Sequence, residues 1–113
     1  DHFIGEMYGQ ALTFAGFNVE WTADGERGLL AAQQGQFDLI LLDIMLPGRM
    51  GNEILHELKA GPHPINSRII VTTNFEQDKE SRAIMESLAD AYLIKADIMP
   101  RRLVEIIRSV LST

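Results

Sequence analysis

The sequence predicts an α/β protein, a doubly wound parallel sheet covered by helices on both faces. Three observations carry this expectation. Segments of helical spacing alternate regularly with short β-rich runs. Two of those runs are continuously apolar, as strands buried on both faces should be. The 113 residues, 46% of them hydrophobic, suit a single domain with one core, spanning 1–113.

The elements follow in order. Ile4, Met7, Tyr8, Ala11, Leu12 and Ala15 keep helical spacing, and Gly16 ends that helix as a C-terminal glycine. "FNVEW" (17–21) alternates and reads as a strand. "ADGERGLLAAQQG" (23–35) reads as a helix, with Asp24 its N-cap and Gly35 its stop. "FDLILLD" (37–43) is a buried strand, and "NEILHELKA" after Gly51 is the next helix. "SRIIVTTN" repeats the strand pattern, "EQDKESRAIMESLA" the helical one, and "AYLIK" is a short further strand. Leu103, Ile106, Ile107, Val110 and Leu111 place one apolar face on a last helix, whose first turn suits Pro100. The order is α-β-α-β-α-β-α-β-α, with no repeats or linkers.

Charge and composition remove several classes of function. Net charge is −6, from 10 Lys and Arg against 16 Asp and Glu, so the long-range field repels nucleic-acid phosphates and no direct nucleic-acid binding is expected. There is no cysteine, which excludes disulfides, thiolate metal sites and cysteine nucleophiles. No apolar stretch approaches the ~20 residues that span a bilayer, and "DHFIGEM" lacks the pattern of a signal peptide. No membrane association and a cytoplasmic location are the expectations.

In sheets of this kind, ligands sit beyond the carboxyl ends of the strands. Asp43, Thr73 and Lys95 each stand at or just after such an end, bringing a carboxylate, a hydroxyl and an ammonium to one rim. Taken singly they are unremarkable: an Asp before Pro and Gly caps turns, Thr favours strands, and Lys is usually solvated. Together they permit more. A desolvated carboxylate needs a cation, which Lys95 or a hard divalent ion such as Mg²⁺ supplies, and an Asp can accept a phosphoryl group when the developing charge is neutralised.

That combination resembles the receiver domain of bacterial two-component response regulators, of the chemotaxis-receiver type. "DLILLDIMLPGRMG" looks like the receiver phosphoacceptor strand and loop, with Pro47 four residues and Gly51 eight residues after Asp43. Thirty positions lead from Asp43 to Thr73 and 22 more to Lys95, while "ADAYLIK" resembles the fifth receiver strand, with Tyr92 at its aromatic switch position. The resemblance implies a flavodoxin-like sheet of order 2-1-3-4-5. It also implies a role for each residue. Asp43 would take a phosphoryl group from a histidine kinase or histidine phosphotransfer protein. Asp43 and the backbone carbonyl of Met45 would ligate Mg²⁺, Lys95 and Thr73 would contact phosphoryl oxygens, and Thr73 and Tyr92 would switch a partner-binding face. The receiver of the signal would be a downstream protein or a fused output domain. Such a domain is a binding switch rather than a substrate-turning enzyme.

The sequence departs from the family in places. Aligning Gly16 without gaps puts Asp1 one position beyond the family's paired acids, so the first strand and both acids are expected upstream of this chain. The alternative expectation is a fragment rescued by dimerisation or strand exchange with a second copy. Asn74, Leu88 and Ala96 replace a small residue, a glycine and a proline, so the loop after Lys95 is expected to be shaped differently. Met45 and Phe75, at the positions that tune hydrolysis of the aspartyl phosphate, cannot orient a water, which predicts slow self-dephosphorylation. Arg101, Arg102, Glu105 and Arg108 read as a solvated basic face. Two competing functions remain: a phosphorylation-independent interaction module, and an Asp-nucleophile phosphatase, which would ordinarily carry a second acid where Met45 stands.

Overall fold

The computed structural model describes residues 11–20, 22, 24–35, 37–44, 51–62, 64–74 and 77–112. Its elements are α1 (residues 11–14), α2 (Gly25–Gln34), β1 (Leu39–Asp43), α3 (Gly51–Ala60), β2 (Arg68–Thr73), α4 (Lys79–Leu88), β3 (Ala91–Ile94), a 3-10 turn (Lys95–Asp97) and α5 (Pro100–Leu111). No helix among the described residues is long and apolar enough to cross a membrane.

The local signals in the sequence explain the element ends. Gly16 takes φ +98, the Phe17 N–H reaches back to the Leu12 carbonyl at 3.1 Å, and the Gly16 N–H to Thr13 at 3.0 Å. Both bonds satisfy carbonyls that the helix end would otherwise orphan, which is the Schellman arrangement. Ile4, Met7 and Tyr8 lie outside the described residues. Asp24 caps α2 by accepting the Glu26 N–H at 3.1 Å. Gly35 ends that helix in extended backbone. It is small because a Cβ there would meet the Phe37 ring at 2.5 Å. Asp78 caps α4 on Ser81, and Pro100 opens α5, where a missing N–H costs nothing.

The described sheet is parallel, in the order β1-β2-β3. Leu39 stands opposite Arg68 and Asp43 opposite Thr72, then Ile70 opposite Ala91 and Thr73 opposite Ile94. Alternate residues face opposite ways. Leu42, Ile69 and Val71 pack with Leu29, Ile54, Leu55, Leu58 and Met85 under α2, α3 and α4. Ile70 packs with Leu12, Leu103, Val104 and Ile107 under α1 and α5. β2 is buried on both faces, as its apolar run required, but β1 departs from the expectation: only Leu42 is buried and the rest of the strand is half-buried. Each fully buried Leu or Ile stabilises the fold by about 1.5–3 kcal/mol.

Two further expectations need correction. Residues 17–20 form no strand: among the described residues no neighbour hydrogen-bonds with them, and the Phe17 N–H already closes the end of α1. Trp21 lies outside the described residues. Leu111, placed on the apolar face of the last helix, is exposed, and Val104 is buried in the core instead. The charged face of α5 is open to solvent, as expected, with Arg101, Arg102, Glu105 and Arg108 all exposed. Arg102 pairs with Glu105 at 3.3 Å in the open, and Arg108 donates to the Ala15 carbonyl at 3.2 Å and lies over the Phe17 ring.

Candidate functional site

Asp43 is the last residue of β1, and the chain around it is folded tightly. The Ile44 N–H continues the ladder to the Thr72 carbonyl at 3.1 Å, and the Gly51 N–H returns to the Ile44 carbonyl, also at 3.1 Å. The chain therefore leaves the strand end and comes back within one hydrogen bond of it. Gly51 permits this return, because a Cβ there would lie 2.2 Å from the Ile44 Cα.

Lys95 opens the 3-10 turn that follows β3 and reaches past β2 to β1. Its Nζ donates to Oδ2 of Asp43 at 2.5 Å, with the lysine side chain only 7% exposed and the carboxylate 20%. Two partly desolvated charges in contact neutralise each other, and removing either would strand the other in a medium that solvates it poorly. The carboxylate keeps enough exposure to be approached from solvent.

Thr73 ends β2 and is fully buried. Its Oγ1 accepts from Nε2 of Gln77 at 3.4 Å. Tyr92 lies on β3, half-buried on the α4 side of the sheet, and its hydroxyl accepts the Gln77 backbone N–H at 3.2 Å. The Arg82 guanidinium covers the Tyr92 ring at 4.7 Å, and its Nε bonds the Glu86 carboxylate one turn along α4.

Asp43 and Lys95 are thus in direct contact, with Thr73 at the end of the intervening strand and Tyr92 behind it. Met45, Pro47 and Phe75 lie outside the described residues. Gln77 and Arg82 were not anticipated from the sequence. The available signal was position: Gln77 is a polar residue four after Thr73 and directly before the helix cap Asp78. Ala96 lies in the 3-10 turn, so the chain after Lys95 coils immediately rather than running on extended.

Among the described residues no three His, Asp or Glu side chains gather as a ligand cluster. Asp43 still offers hard carboxylate oxygens at an accessible rim. Mg²⁺ keeps several of its own waters and takes one or two carboxylates, so this donor fits it.

Comparison with known proteins agrees with this geometry. The family described as the response regulator receiver domain matches residues 1–108. An uncharacterized transcriptional regulatory protein, YcbL of Bacillus subtilis (strain 168), is 35% identical over 95 residues, 84% of this chain and 41% of that protein. The chain spans less than half the length of that relative. A response regulator receiver domain protein (CheY-like) from Methanospirillum hungatei JF-1 is 33% identical in sequence and superposes with a TM-score of 0.82 over 99% of this chain and 87% of that one. The receiver domain of sensor histidine kinase PA1611 from Pseudomonas aeruginosa PAO1, solved with a magnesium ion in its active-site cleft, shares the fold at a TM-score of 0.85 and 21% identity, covering 100% of this chain and 92% of that one. Carboxylate, hydroxyl and lysine at adjoining strand ends, and a family match over nearly the whole sequence, lead to one assignment: the chain belongs to the response regulator receiver domains of two-component signalling.

Proposed function

We propose that this receiver is a phosphoacceptor switch, taking a phosphoryl group on Asp43 from a histidine kinase or a histidine phosphotransfer protein. The observation that carries the reading is the Lys95 to Asp43 contact made across the sheet at 2.5 Å. A carboxylate oxygen of Asp43 attacks the phosphorus of a phosphohistidine. The P–O bond forms as the P–N bond breaks, and the imidazole leaves with the electron pair and takes up a proton. Lys95 passes from the carboxylate to a phosphoryl oxygen, and the Thr73 hydroxyl donates to another, so charge is neutralised where it develops. Mg²⁺, held by Asp43 and the Met45 carbonyl, would add positive charge beside the same oxygens.

Movement of Thr73 and Tyr92 would then alter the face built from α4, β3 and α5, which a downstream protein or fused output domain would read. The three described strands are taken as the third, fourth and fifth of a 2-1-3-4-5 sheet, a reading supported by their parallel order. The domain is a cytoplasmic switch and not a turnover enzyme.

The test is intact-mass measurement of wild-type and Asp43→Asn protein after incubation with a small phosphodonor and Mg²⁺. The wild type should gain one phosphoryl group and the variant none. A wild type that gains nothing would leave a phosphorylation-independent interaction module. Sustained turnover of free phosphoesters would make it an Asp-nucleophile phosphatase.

A further inference from the structure

Thr73 and Tyr92 sit on different strands, and one residue is bonded to both. Gln77 gives its side-chain amide to the Thr73 hydroxyl at 3.4 Å and its backbone N–H to the Tyr92 hydroxyl at 3.2 Å. It also directly precedes Asp78, whose carboxylate caps α4 through the Ser81 N–H at 2.9 Å. Its backbone is therefore tied to the start of a helix rather than left in a free loop. We propose that Gln77 is the positioning residue that joins Thr73 and Tyr92 into one two-state unit and holds that unit in its resting arrangement. The proposal rests on the phosphoacceptor reading for its purpose, though not for its physics.

The geometry explains why both bonds would be lost together. The amide contact to Thr73 stands at the long limit of a hydrogen bond, so a small shift of the hydroxyl away from Gln77 ends it. Any turn of Tyr92 that carries its oxygen off the Gln77 N–H must also move its ring against the Arg82 guanidinium that covers it, which is itself held by Glu86. Contacts present only in the resting state oppose the switched one by their full differential free energy. Because one residue serves both hydroxyls, releasing either loosens the hold on the other. Gln77 thereby sets both the threshold of the switch and its all-or-none character.

Two substitutions in the full-length protein separate the contributions. Gln77→Met keeps the length and removes the amide, while leaving the backbone bond to Tyr92. Gln77→Glu replaces a donor with a charged acceptor, to which the Thr73 hydroxyl can itself donate more strongly. The readout is NMR exchange at the Thr73 methyl and the Tyr92 ring in unmodified protein, together with the affinity for beryllofluoride, a phosphoryl mimic. In the wild type both probes should report one exchange process. In Gln77→Met they should separate, and beryllofluoride should bind about two- to fivefold more tightly, the worth of one weak neutral bond. Gln77→Glu should keep the probes together and lower the minor population. Unchanged, still-shared exchange in Gln77→Met would overturn the proposal, as would separate exchange already present in the wild type. If the wild type binds no beryllofluoride yet the two probes separate in Gln77→Met, the link stands and the phosphoacceptor reading falls.

Discussion

The two rims of the sheet carry similar side chains put to different ends. At the amino rim, Lys59 donates to the Ser67 carbonyl at 2.9 Å, Ser67 donates to the Phe37 carbonyl at 2.6 Å, and Asp90 accepts the Ile69 N–H at 2.8 Å. A lysine, a hydroxyl and an aspartate there all end on main chain. Arg68 leans on the second oxygen of Asp90 at 3.3 Å. At the carboxyl rim the same three chemistries meet one another or a second side chain: Lys95 on Asp43, and Gln77 on Thr73. A bond to the sheet's own backbone holds a strand end or a turn in place. A bond between side chains can be exchanged for a ligand.

The sharpest way to break this comparison is Lys95→Met. Loss of a charge-stabilising donor at a reacting group typically costs about 100- to 1,000-fold in rate, and phosphoryl uptake by Asp43, followed by intact mass over time, should fall by that order. A variant that takes up phosphate at the wild-type rate would place Lys95 with the structural lysines, beside Lys59. Gly51→Ala comes next, because the new methyl meets the Ile44 backbone, which cannot swing aside. Overpacking of this kind costs about 1–3 kcal/mol, and sometimes more, readable as a lower urea midpoint.

Asp90→Ala tests the other rim. It leaves the N–H of the fully buried Ile69 without its carboxylate, a loss of about 1–3 kcal/mol in unfolding free energy. The rate of phosphoryl uptake should not change, and a change would undo the division between the rims. The smallest effect is expected at Asp78. Hydrogen bonds from Ser81 hold its carboxyl below the ordinary value of 3.8. A pKa depressed by folding stabilises above the unfolded value and is lost as pH falls through the folded one. Asp78→Asn should therefore lower stability slightly at neutral pH, where the ionised cap contributes, and flatten the acid limb below about pH 4, where the two proteins converge. An acid limb identical to wild type would show that the cap does not depend on charge.

The same division explains what was legible in the sequence. Asp43, Thr73 and Lys95 could be placed at one rim because each ends or directly follows a strand, and strand ends are fixed by apolar runs that read directly from residue types. The caps Asp24 and Gly16 were equally local. The expected strand is not formed at 17–20 because a strand also depends on a neighbour's hydrogen bonds, which no residue within the segment encodes. Gln77 escaped for a related reason. Its two bonds depend on how the chain turns from β2 into α4, and its own side chain carries no charge or motif to mark it. Leu111 kept the period of its helix, but it is the last residue of α5 and is exposed.

One consequence of the Lys95 contact reaches into the core. Lys95 follows β3 and Asp43 ends β1, so the lysine must cross the full width of β2, roughly two strand spacings of 4.7–4.9 Å. The ion pair thus acts as a gauge of sheet width. A change in the pairing or twist of β2, whose Val71 and Thr72 stand opposite Tyr92 and Leu93, would alter that span. Asp43 would register the change without any rim residue having been altered.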